Sequence, residues 1–128
     1  MATIACGYIV QQEYMKNLLM NPGYDDYSVK DFAFMADMWW RLELTAEQRA
    51  QTPPIKVYAR DIASATASCV FFILTRRTTI RTPEQADELL CELESDRIKK
   101  RKFVEVFGRG FQESEMVFSM KQWKSFKP

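Results

Sequence analysis

The chain of 128 residues contains no histidine. Imidazole is the group that titrates near neutral pH and the commonest metal ligand. Its absence excludes a Ser/His/Asp or Cys/His nucleophile pair, a His-based zinc site, a His₂-carboxylate iron site and a histidine proton shuttle. Glycine is also scarce: the four glycines, at 7, 23, 108 and 110, match neither a P-loop nor a dinucleotide fingerprint. The three cysteines, Cys6, Cys69 and Cys91, form no CxxC, and their odd number without a secretory segment reads as reduced thiols. Cys91 has Glu88, Glu92 and Glu94 near it in sequence, where a reactive thiolate needs positive charge. The longest apolar run, Cys69 to Leu74, is six residues, and a membrane span needs about twenty. The start, MATIACGYIV, lacks the basic region and long apolar core of a signal peptide. These absences lead us to expect a cytoplasmic, non-enzymatic protein with no metal and no cofactor.

What is present suits one globular domain over residues 1–128. Hydrophobic residues make up 47% and charged residues 27%, which is enough apolar surface for a core and argues against disorder. Eighteen Lys and Arg against seventeen Asp and Glu leave a net +1, too small to imply an anionic partner by itself. The distribution is uneven: residues 1–64 carry net −2, and residues 97–128 carry net +6.

Spacing and breakers predict an α+β fold that is mostly helical, four to five helices with a C-terminal β-hairpin. Ile4, Tyr8, Met15, Leu18 and Leu19 suit a helix over 3–20, stopped by Asn21-Pro22-Gly23. Ser28 with Asp31 offers a capping box for a helix running to Leu42 that is apolar nearly all round. Thr45 caps a short helix to Ala50, ended by Thr52-Pro53-Pro54. Residues 55–75 read two ways. Ile55, Tyr58, Ile62, Ala65, Cys69, Phe72 and Arg76 follow a helical repeat, whereas the β-branched and aromatic content of 69–74 favours a strand; the helix is preferred. Thr82-Pro83-Glu84-Gln85 is a helix start with cap, N1 proline and Gln at N3, and the helix closes on the basic run Arg97–Lys102. Lys102–Phe107 and Glu115–Lys121 then alternate as two strands around Gly108-Arg109-Gly110.

Two functional readings follow. A helix without a polar face is either central to a core or covered by another chain. Phe34, Met38, Trp39 and Trp40 are therefore candidate contacts for a protein partner, including a second copy of this chain, with Glu88 and Glu92 on an acidic helix as a further docking face. Such a protein would be a small inhibitor, immunity-type or regulatory module. The alternative is nucleic-acid binding through Arg97, Lys99, Lys100, Arg101, Lys102, Arg109 and Lys121, with phenylalanines and Trp123 interleaved. Helix, turn, helix and hairpin resemble the layout of a winged helix. In that layout the groove-reading helix would carry Glu84, Asp87, Glu88, Glu92, Glu94 and Asp96, which phosphates repel.

Overall fold

The computed structural model describes residues 2–10, 29–59, 69–107 and 113–123. Strand β1 (Ala2–Val10) leads to helix α1 (Val29–Met38), which widens into a π-helical turn over Trp39–Glu43. Helix α2 (Ala46–Gln51), strands β2 (Ile55–Ala59) and β3 (Cys69–Ile80), helices α3 (Pro83–Leu89) and α4 (Glu94–Phe107), a 3-10 turn at Glu113–Glu115 and strand β4 (Val117–Gln122) follow. The strands form one antiparallel sheet in the order β2-β3-β1-β4.

Where the inner strands cross the core they are apolar on both faces, over Ala5–Val10 of β1 and Val70–Leu74 of β3, whereas Thr75–Thr79 of β3 are polar. Tyr8, Val10, Phe71 and Ile73 point to one face, where Phe32 and Ala36 of α1 and Phe103 of α4 complete the main core. Ala5, Phe72 and Leu74 point to the other, packed by Ile9, Tyr58 and Trp123. Across this second face the two edge strands meet, Lys121 Nζ of β4 lying 4.1 Å from the Tyr58 ring of β2. The sheet is thus strongly curled. Its register shifts once, where Cys6 pairs with Arg76 and Gly7 with Leu74. Thr75 is the extra residue of a β-bulge, a feature that bends and twists its strand.

This architecture corrects the helical expectation in five places. Residues 3–10 of the predicted 3–20 helix belong to strand β1, and 11–20 lie outside the described residues. Ile4 and Tyr8 share a face at either a helical or a two-residue spacing, and burial on both faces of β1 settles the choice. Residues 55–59 and 69–75 are strands, so the β-branched and aromatic content of 69–74 outweighs the helical repeat. The acidic helix breaks after Leu89 and restarts at Glu94. Lys102–Phe107 is the end of α4 and forms no strand: Phe103 and Phe107, four residues apart, stack with ring centroids 5.0 Å apart. With that strand gone the described residues form no C-terminal hairpin, because β4 pairs with β1, and the winged-helix layout falls with it.

Two predicted caps match. Thr45 Oγ1 accepts from the Gln48 N–H at 3.1 Å while Gln48 Oε1 accepts from the Thr45 N–H at 2.9 Å. Thr82 caps α3 with Pro83 at its start, although the Gln85 side chain reaches the Arg81 N–H. The Ser28 cap lies outside the described residues.

Gly7 marks the tightest point of the sheet. A Cβ there would fall on the Ile73 carbonyl oxygen and come within 2.9 Å of the Phe72 ring. We predict that Gly7→Ala destabilises the protein by about 3 kcal/mol, measured as a fall in the urea midpoint; an unchanged midpoint would contradict the inner-strand packing.

Candidate functional site

The bulge and the start of α4 are joined by one buried carboxylate. Asp96 is 1% exposed. It accepts from Thr75 Oγ1 at 2.7 Å, from Arg76 Nε at 3.1 Å and from the Leu93 N–H at 2.9 Å. The last bond is half of a capping box, with Asp at the third helical position reaching back to the backbone of the cap. Arg76 also donates to the Cys91 carbonyl at 2.6 Å, holding the segment between α3 and α4. Lys99 Nζ donates to the Thr75 carbonyl at 2.6 Å. The Cys6 thiol lies near this pair, and burial pushes its pKa up, against the opposing influence of Arg76. It is therefore a protonated core thiol.

A second polar contact sits beside the first. The Tyr8 hydroxyl donates to Glu92 Oε2 at 2.5 Å, and Lys100 Nζ lies 4.8 Å from the Tyr8 ring. Burial first, and then the bond to Glu92, raise the Tyr8 pKa, so the hydroxyl remains a donor. The bond from Tyr8, helped by Lys100 and Arg97, lowers the Glu92 pKa against a smaller effect of burial.

A cleft of about 300 Å³ opens at the edge of β3. Strand β2 pairs only with residues 69–73 of β3, so the next stretch of β3 outruns it. The cleft lies there, between the Thr52-Pro53-Pro54 turn, β3 around its bulge, and α4. Among the described residues four cationic ones line it, Arg49, Arg76, Arg77 and Lys99, and no acidic one does. Arg76 is matched by Asp96 behind the wall, but Arg49, Arg77 and Lys99 have no carboxylate within 4.0 Å among the described residues. Arg49 donates to the carbonyls of Arg41 and Leu44 and lies 6.0 Å from the Trp40 ring. The buried Trp40 Nε1 and Thr52 Oγ1 have no hydrogen-bond partner among the described residues.

The structure distributes the sequence candidates unevenly. Phe34 is exposed and Met38 half-buried on α1. Trp39 turns inward against Phe103 and Phe107, at ring distances of 5.9 and 4.7 Å, whereas Trp40 lines the cleft. Glu88 is exposed on α3, and Glu92 is engaged by Tyr8 and Arg97. In the basic group, Arg97 pairs with Glu92 and Glu94, Arg101 with Glu113 and Lys102 with Glu105. Lys99 and Lys100 are turned to Thr75 and Tyr8, Lys121 lies on the opposite face over Tyr58, and Arg109 lies outside the described residues. Sequence reasoning missed Arg49, Thr52, Arg76 and Arg77. The adjacent Arg76-Arg77 on a strand was the one signal that could have drawn attention to them.

Comparisons with protein-family models, with curated proteins and with solved structures find no match for this chain.

Two outcomes test the polar framework. Asp96→Asn leaves Arg76 without its counter-charge and should lower stability by about 3 kcal/mol or more, read from urea unfolding. Tyr8→Phe should lower it by about 1 to 2 kcal/mol at pH 7. Because Glu92 titrates below its ordinary value of 4.5, the contribution of this bond is present above that value and disappears as pH falls through the lowered one. Wild type and Tyr8→Phe should therefore converge in acid, and a gap unchanged from pH 7 to below the Glu92 titration would refute the assignment.

Proposed function

We propose that this chain is a non-enzymatic protein-binding module of the inhibitor, immunity or regulatory kind, acting through the outer surface of α1 and its π turn. The observation that carries this reading is the exposure of two large apolar side chains on one helical segment. Phe34 is 64% and Leu42 70% exposed, with half-buried Met38 midway between them in sequence. Single exposed apolar residues are ordinary, but three at four-residue spacing make a continuous ridge. A ridge of this kind gains from being covered.

The charges beside the ridge favour a second copy of the chain as its occupant. Asp37 and Arg41 flank it and pair at 2.9 Å, with both side chains more than half exposed. When two such helices pack antiparallel about a two-fold axis, Asp37 of each faces Arg41 of the other. The charges flanking the ridge are thus complementary to those of a second copy.

Nucleic-acid binding is the weaker reading. Three of the five cations on α4 each have a carboxylate within 4.0 Å, which leaves a small surplus to displace counterions from a phosphate backbone.

Light scattering across a concentration series should show reversible self-association. Phe34→Ser combined with Leu42→Ser should abolish it without lowering the unfolding midpoint, since both side chains are already in solvent. Asp37→Arg alone should weaken association, and the exchanged pair Asp37→Arg with Arg41→Asp should restore it. A wild-type protein that stays monomeric at the highest attainable concentration, or an association indifferent to these changes, would refute this reading.

A further inference from the structure

We propose that the cleft at the open edge of β3 is a binding site for a phosphoryl group, carried as free phosphate or as a small phosphomonoester. An indole N–H can only donate, and Trp40 Nε1 is buried with no acceptor among the described residues. Thr52 is 4% exposed, and its hydroxyl has no hydrogen-bond partner among the described residues. Leaving a buried polar atom unpaired costs about 1 to 3 kcal/mol, and both atoms belong to residues lining one cleft. An acceptor-rich ligand in that cleft is the occupant whose chemistry suits both residues.

Charge gives the sign of that ligand. Arg49, Arg77 and Lys99 line the cleft without carboxylate partners within 4.0 Å among the described residues, and Arg76 brings a guanidinium whose charge Asp96 already balances. A cleft with cationic walls and no acidic lining among the described residues concentrates anions. A phosphoryl group carries close to two negative charges at neutral pH and presents three strong acceptor oxygens. Those oxygens match the two donors and leave one for a cation. A single carboxylate offers two oxygens and one charge, which would leave more of this lining unmatched. The volume of about 300 Å³ admits the group with a small organic substituent and lies at the lower end of small-molecule sites. The flat Trp40 ring and Pro53-Pro54 form the apolar wall against which such a substituent would rest.

The test is thermal unfolding of the full chain with sodium phosphate, sodium sulfate or sodium chloride at matched ionic strength. Phosphate should raise the unfolding temperature saturably and beyond the other salts, since a ligand that binds only the folded state stabilises it by mass action. Calorimetric titration then compares wild type with Thr52→Val and Arg77→Gln, each expected to weaken phosphate binding at least tenfold. Thr52→Val is close in shape and removes an unpartnered hydroxyl, so its own unfolding temperature should be unchanged or higher; this separates a lost site from a lost fold. Phenyl phosphate distinguishes the two sources: tighter binding than inorganic phosphate identifies an ester, and equal binding identifies the free ion. Stabilisation that is the same in all three salts would overturn the proposal. So would phosphate affinity unaffected by either substitution.

Discussion

The fold depends on keeping one carboxylate out of water. An isolated buried charge would be intolerable, and Asp96 is stable only because every group around it donates. Its donors come from different parts of the chain: a hydroxyl and a guanidinium from β3, and a backbone N–H from the segment that starts α4. The bulge makes this convergence geometrically feasible. Consecutive residues of a regular strand point to opposite faces, whereas Thr75 and Arg76 both reach the same acid. The carboxylate thereby fixes where α4 begins, and α4 in turn delivers Phe103 to the main core and Lys99 to the bulge.

The same helix start explains why the acidic segment is two helices. From sequence, Glu84 to Lys102 reads as one helix, and no proline or glycine interrupts it. The interruption comes from tertiary bonds: Arg76 takes the Cys91 carbonyl and Asp96 takes the Leu93 N–H, two backbone groups that a continuous helix would use itself. A partner so distant in sequence leaves no local trace.

Legibility followed this division between local and distant causes. The Thr45 and Thr82 caps were readable because their bonds close within three residues. The strand character of 69–74 was also visible, in its β-branched and aromatic residues, but it competed with a fortuitous helical repeat. β1 was misread because a strand buried on both faces has no alternation to show. Of the candidate contacts, Phe34 is exposed, whereas Trp39 packs against the core. The neighbouring tryptophans are consecutive helical residues and so point different ways, one ring towards Phe103 and Phe107 and the other to the cleft. The cleft residues were invisible as a group, since Arg49, Thr52, Arg77 and Lys99 are brought together only by the way β3 outruns β2.

The Thr75 bulge has a consequence for how the length of this chain can vary. Thr75 and Arg76 occupy the same face opposite Cys6, so a chain one residue shorter at this point would keep the inward and outward order of every residue on either side. Elsewhere in β1 or β3 the loss of one residue would transpose the two faces and expose the core. Related chains that lack the extra residue would thus retain the sheet and lose the seat of the buried acid. In such chains the position equivalent to Asp96 should carry an uncharged residue, and the two changes should be inherited together.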